Sequence, residues 1–327
     1  MDYFSEAILQ FKNRLDEIEK NIEFISLQKD MYNIIKNDSN MSDYANKLGN
    51  IINSTVQYNS IIICLYGCFE EYIDEISLKY IKTIDGLCDS YSELPKSIRD
   101  KHLYKVGEFL SNPQRYKGYE LTVEDCIKNL YMSINSYEDR KLNEELLISH
   151  SGNMKLCKIY DLFRDLGIKN TKSKIEDIEC RENYNLLDEL IDQRNIISHS
   201  WKVEQRLSYE KIKDETIVLL KEVGEKLKDI LLDEIFSFMH KKDMLVSFDA
   251  PIQVINNRIL CINCKNSYLE MGDSIIFEND NCLGHLKILN IEINNTNVKK
   301  VEVVDKNIGI EVNKNIKDYW RFYYVRK

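Results

Sequence analysis

At 327 residues, with 43% hydrophobic and 30% charged side chains, the chain has room for two domains and the composition of a globular protein rather than a disordered or membrane-embedded one. Its longest apolar run, Ile61–Leu65, is far short of a membrane span, and the acidic start Met1-Asp2-Tyr3-Phe4-Ser5-Glu6 lacks the parts of a secretion signal, so a cytoplasmic protein is expected. The net charge of −9 is uneven: residues 240–327 hold 13 Lys+Arg against 11 Asp+Glu, leaving 32 against 43 before them, so any RNA contact has to be a local basic patch.

Three prolines and eleven glycines leave few helix breakers, and nine cysteines, an odd number set mostly in helical patterns, read as reduced small hydrophobes. The first helix is written in heptads: Phe4, Ile8, Phe11, Leu15, Ile18, Ile22 and Ile25. A second run goes through Leu48, Ile51, Thr55, Tyr58, Ile62, Leu65, Phe69, Tyr72 and Ile76, which predicts two long helices packed antiparallel with a loop around Asn37–Asn40. Glu70 and Glu71 lie beside that stripe and read as solvated or interfacial. Pro95 suits the first turn of a short helix ending near Ser111-Asn112-Pro113, and Thr122 starts another to about Asn135. Asn153–Leu166 is amphipathic and stops at Gly167; a motif helix is expected from about Cys180 to His199, and a last helix from Ser208 to about Met239.

After Lys241-Lys242-Asp243 the pattern changes to short β-branched alternations separated by Gly272-Asp273, Asn279-Asp280-Asn281 and Asn294-Asn295-Thr296-Asn297. The strands expected are Ile252–Ile255, Arg258–Ile262, Ser274–Phe277, His285–Ile293, Val298–Val303, Asn307–Val312 and Trp320–Val325. The fold class is therefore α+β: an all-α helical bundle over 1–240 followed by a small β-barrel over 244–327.

Within the motif helix, Arg194, Asn195, Ser198 and His199 fall within an arc of about 140°, while Leu186, Leu190, Ile197 and Trp201 gather on the other side. Arginine holds a phosphate in fixed geometry and histidine titrates near neutrality, so this face has parts for phosphate chemistry. On an isolated helix the same residues make a surface network with no chemistry, and both readings stay open. His102, His150 and His240 each stand alone and read as surface residues.

Asp192-Gln193-Arg194-Asn195-Ile196-Ile197-Ser198-His199 resembles the Arg-x4–6-His signature of the HEPN superfamily. Ile61–Ile73, with its aromatic-glutamate ending, and Ser151-Gly152-Asn153-Met154 leading to Leu162–Ile168 are similar to the early and middle segments of its RiboL-PSP-type branch. The resemblance spans roughly residues 45–235. It implies a homodimer whose two motif helices make one composite cleft, and a metal-independent endoribonuclease needing no cofactor. His199 would be general base or acid, Arg194 would stabilise the transition state, and Asn195 would orient the imidazole or bind a phosphate oxygen. A role in antiphage defence or as a toxin, with an antitoxin or defence-system partner, comes from the family alone, as does the alternative of a non-catalytic dimer that binds RNA or protein.

In the C-terminal part, Cys261, Cys264, Cys282 and His285 have zinc-ribbon spacing, set against a strand-like alternation and the lack of a Gly or Pro knuckle. Met271–Ile276, His285–Ile293 and Ile308–Val312 are similar to the barrel of elongation factor Tu domain 2, which implies a binding module for RNA or a translation component. Lys299, Lys300, Lys314, Lys317, Arg321, Arg326 and Lys327 would supply a basic face, with Tyr319, Trp320, Phe322, Tyr323 and Tyr324 either stacking on bases or filling the core.

Overall fold

The computed structural model describes every residue except 1–2, 53, 117, 119, 136–139, 151, 170, 176–183, 201–202, 265–266, 295, 304 and 326–327. Trp201, Arg326, Lys327 and the expected helix start at Cys180 lie outside the described residues. By backbone proximity the chain divides into two compact units: Phe4–Lys82 with Cys88–Lys228, and Met1–Tyr3 and Thr83–Leu87 with Asp229–Lys327.

In the helical unit, α1 (Ser5–Ile35) buries the heptad positions Ile8, Phe11, Leu15, Ile22 and Ile25. Ion pairs fix its neighbours. Arg14 pairs with Glu71, and Glu6 with Lys79 at 3.8 Å, so α3 (Thr55–Gly86) runs antiparallel to α1 as expected. On the other side Lys12 pairs with Glu225, and Asp16 and Glu23 pair with Lys221 and Lys213 at 2.6 Å, so the last helix is antiparallel as well. At this three-helix contact Phe11 stacks on Tyr72 at 4.3 Å, and a Cβ on Gly224 would come within 2.8 Å of the Phe11 ring.

The second heptad run is not one helix. It breaks into α2 (Ser42–Ile52) and α3, because Ser54 Oγ accepts the N–H of Val56 and offers the backbone a cap instead of a further turn. The last helix is also interrupted: α10 (Tyr209–Lys211) passes through a π turn at Ile212–Thr216 into α11 (Ile217–Lys241), a wide turn that heptad spacing does not announce.

Between them, α4 (Lys96–Ser111) follows Pro95, and α5 (Val123–Asn135) is capped by Thr122, whose Oγ1 accepts the N–H of Asp125 at 3.0 Å. After α6 (Glu144–Ile148), α7 (Leu156–Asp165) starts three residues later than expected, leaving Asn153-Met154-Lys155 as loop. It ends where Gly167 takes φ +91°, with Ile168 N–H donating to Phe163 O at 2.9 Å. His102 corrects the surface reading: it is fully buried, with Nδ1 3.1 Å from Tyr91 Oη and Nε2 accepting the N–H of Asn143 at 3.2 Å. Burial pushes its pKa down to about 4. The unit continues with α8 (Thr171–Ile175) and α9 (Tyr184–Ser200).

The strands of the other unit are β1 (Leu245–Ser247), β2 (Gln253–Ile255), β3 (Ile259–Cys264), β4 (Ser267–Glu270), β5 (Ser274–Glu278), β6 (Leu283–Ile293), β7 (Thr296–Val298), β8 (Lys300–Val303), β9 (Lys306–Val312) and β10 (Arg321–Val325). They pair antiparallel in the order β1-β10-β5-β6-β9-β3-β2, with β7 on β6 and β4 paired to β8, an open half-barrel ending at β1 and β2. Alternate residues such as Leu260, Ile262, Ile275, Leu286, Ile288, Ile308, Ile310 and Val312 fill its core. Three strands the sequence reading lacks, β1, β4 and β7, are only three or four residues long.

The zinc-ribbon arrangement does not form. Cys261 and Cys264 lie three apart in β3 and so on opposite faces, Cys264 inside the core and Cys282 exposed. His285 turns instead to α11, with Nδ1 2.7 Å from Asp233 Oδ1 and Nε2 3.4 Å from Asp229 Oδ1. These two carboxylates outweigh the large opposing effect of burial and raise its pKa. A stacking platform is not available either, because strand alternation sends Phe322 and Tyr324 into the core. Tyr323 is buried with its hydroxyl donating to Glu278, Trp320 stacks on Phe277 at 4.6 Å, and of the five aromatics only Tyr319 is exposed.

Candidate functional site

Helix α9 is buried more broadly than its Leu186, Leu190 and Ile197 stripe predicts, because Leu187 and Ile191 are fully buried too. Arg194 has Leu190 and Ile191 one turn before it and Ile197 one turn after, so it lies within the buried arc rather than opposite it. The physical reason is that neighbours cover α9 on two sides, which a single apolar stripe cannot reveal. A half-buried guanidinium needs partners, and it has them. Its Nη1 donates to Asn153 Oδ1 at 3.1 Å and to Asn195 Oδ1 at 3.5 Å, and its Cζ lies 4.9 Å from the centre of the Tyr66 ring.

Asn153 is the hub of this contact. It accepts from Arg194 and, through Nδ2, donates to Asn195 Oδ1 at 2.7 Å. The loop that carries it is fastened twice just after Asn153. Met154 N–H donates to Tyr66 Oη at 2.9 Å, and Lys155 Nζ is 3.2 Å from Asp192 Oδ1. Tyr66 Oη in turn donates to Glu70 Oε1 at 2.9 Å, and its pKa is pushed up to about 12, chiefly by burial, so it stays a hydroxyl. Glu70 is thus engaged, while Glu71 pairs with Arg14. One helical turn beyond Glu70, Asp74 Oδ1 lies 3.4 Å from His150 Nε2.

Three segments far apart in sequence, around Tyr66, Asn153 and Arg194, therefore meet at one place within the helical unit. His199 does not join them. It is exposed near the end of α9, about 7.5 Å along the axis from Arg194 and about 140° around it. Asn195 lies one turn before His199, yet its carbonyl oxygen is taken by Asn153 and Arg194. Ser198 and Ser200 bond back to the carbonyls of Arg194 and Ile196, which holds the last turn of the helix in place.

Sequence reasoning assigned no role to Tyr66, His150 or Asn153. Tyr66, Glu70 and Asp74 are spaced i, i+4, i+8 along α3, a polar lane that was readable and asks for a polar partner. Nothing in the sequence names that partner as residues 150–155. As it stands, the arrangement presents a cation in fixed orientation: among the described residues only Nη1 of Arg194 is used, which leaves Nε and Nη2 to face an anion. Among the described residues no three His, Cys, Asp or Glu side chains cluster as a metal site, and no helix is long and apolar enough to cross a membrane.

Compared with protein families, residues 9–233 match the RiboL-PSP-HEPN domain, and the matched region includes all of α3, the 150–155 loop and α9. A comparison with curated proteins gives no match.

Proposed function

This chain belongs to the RiboL-PSP-HEPN family, and on that premise we propose that it is a metal-independent endoribonuclease with a composite active site at a homodimer interface. The observation that carries the reading is the held guanidinium of Arg194, oriented by Asn153 and Tyr66 before any ligand arrives. The 2′-oxygen of a ribose attacks the adjacent phosphorus as its proton passes to a base. The P–O5′ bond breaks, and the 5′-oxygen takes a proton from an acid, leaving a 2′,3′-cyclic phosphate and a 5′-hydroxyl. Arg194 stabilises the charge that builds on the non-bridging oxygens, and His199 serves as base or acid. Asn195 keeps its amide N–H groups for a phosphate oxygen or for the His199 ring.

One motif helix supplies one arginine and one histidine, and these point about 140° apart. A second copy of α9 supplies the missing acid–base partner, which is why the site belongs to the dimer. The exposed Lys299, Lys300, Lys314, Lys317 and Arg321 of the half-barrel serve to select RNA or a partner protein. The biological setting that fits is the cytoplasm, in antiphage defence or as a toxin held in check by an antitoxin or defence-system partner. A second reading, a non-catalytic dimer that binds RNA or protein, is favoured by one observation: His199 has no oriented hydrogen-bond partner among the described residues.

The test is cleavage of end-labelled RNA by the purified full-length chain with and without EDTA. Arg194→Ala and His199→Ala are each expected to abolish cleavage while circular dichroism stays unchanged. Cleavage surviving both substitutions sinks the catalytic assignment, and binding without cleavage by the unaltered chain favours the second reading.

A further inference from the structure

Arg194 can serve a phosphate only while its guanidinium is held, and most of that hold comes from outside α9. It comes from Asn153, at 3.1 Å, on the loop between His150 and Lys155. The described residues of that loop are few and form no helix or strand, so their position rests on the side chains that tie them down. Two ties reach α3: Met154 N–H to Tyr66 Oη, and His150 to Asp74.

The second tie depends on a proton. His150 Nε2 lies 3.4 Å from Asp74 Oδ1, and Nδ1 lies 3.3 Å from the carbonyl oxygen of Gly152. An oxygen on each side of the ring asks for an N–H on each side, which only the imidazolium has; a neutral ring has one N–H and must give up one contact. Asp74 Oδ1 makes the same demand from its side. That oxygen is buried, and among the described residues the His150 ring is its ion-pair partner, while the rest of the Asp74 side chain is partly exposed.

We propose that Asn153 is the positioning residue of this site, and that the imidazolium of His150, seated on Asp74, latches the Asn153 loop to α3 and so sets the poise of Arg194. The charged groups around the latch are Asp74 and Glu70 on α3, Lys155 on the loop itself, and Arg194 and Asp192 on α9. The Asp74 carboxylate raises the His150 pKa against the opposing effect of burial, with a smaller contribution from Glu70. The latch is therefore closed while His150 is protonated and Asp74 ionised, and it opens as pH rises through the raised His150 pKa. Opening removes one of the loop's two ties to α3, and Arg194 then loses the partner that orients it.

The activity arm of the test rests on the ribonuclease reading; the exchange arm does not. Amide hydrogen exchange of the segment around Met154, corrected for the intrinsic pH dependence of exchange, is followed from pH 5.5 to 9 in the full-length chain. Protection is expected to fall as pH rises. His150→Gln should make it independent of pH, and Asp74→Asn should move the fall to lower pH. In RNA cleavage, Asn153→Ala should lower kcat by about 100-fold with little change in KM, as expected of a misplaced rather than a missing group. Protection that does not change with pH, or that is the same in the Asp74→Asn chain, overturns the latch. If the unaltered chain cleaves no RNA, the ribonuclease reading fails, and the exchange profile still decides the latch by itself.

Discussion

Replacing Tyr66 by Phe removes one oxygen from the centre of the site and leaves the ring under Arg194 in place. The hydroxyl accepts the N–H of Met154 and donates to Glu70 Oε1, both at 2.9 Å. Met154 is fully buried, so without that oxygen its N–H has no acceptor and no water, a loss of about 1–3 kcal/mol. Glu70 is partly exposed, and water replaces most of what it loses. The net expectation is a destabilisation of about 2 kcal/mol, roughly a thirty-fold change in the opening equilibrium of this region. Urea unfolding followed by circular dichroism reads the global part, and hydrogen exchange at residues 150–156 reads the local part. The 4.9 Å contact between Arg194 and the ring remains, so RNA cleavage should fall less than in Asn153→Ala. Unchanged protection in this segment together with unchanged urea stability would refute the view that the Tyr66 hydroxyl holds the loop.

Two further outcomes follow from the helical unit. Gly167→Ala forces a Cβ onto a residue at φ +91° and brings it 2.3 Å from Ser97 Oγ; a loss of about 2–3 kcal/mol is expected in urea titrations, partly recovered by adding Ser97→Ala, and a fully stable Gly167→Ala chain contradicts it. His102 has a folded pKa of about 4, below the ordinary value of 6.5, so between those values the unfolded chain takes up a proton that the folded one refuses. Stability due to this group therefore falls as pH drops through the window, by about 3 kcal/mol at pH 4. The difference between the pH–stability profiles of the unaltered chain and His102→Gln should show that slope, and parallel profiles would remove His102 as its source.

Much of the fold could be read directly from residue spacing. The heptad positions of α1, the Thr122 cap, the stop at Gly167 and the alternation of β3, β6 and β9 each report a local periodicity or a local hydrogen bond, and these survive into the structure with small shifts. The same alternation separates Cys261 from Cys264, so the failure of the zinc spacing was already written in the strand pattern. What misled were features settled by competition: Ser54 capping a new helix inside a continuous heptad run, and a lone histidine, His102, drawn into the core by Tyr91 and Asn143.

The candidate site divides along the same line. Residue spacing alone settles that Arg194, Asn195 and His199 share one helix, and at what angles, because 100° per residue fixes the order of side chains around a single axis. The sequence also carries the match to the family over residues 9–233. Which side of that axis is covered, and by what, depends on how other elements pack against it. Arg194 lies inside the buried arc, where Asn153 and Tyr66 take hold of it, while His199 lies outside, exposed to solvent. Helical periodicity cannot supply that information, since it describes one element at a time, whereas the hold on Arg194 is made by residues 41 and 128 positions away in the chain.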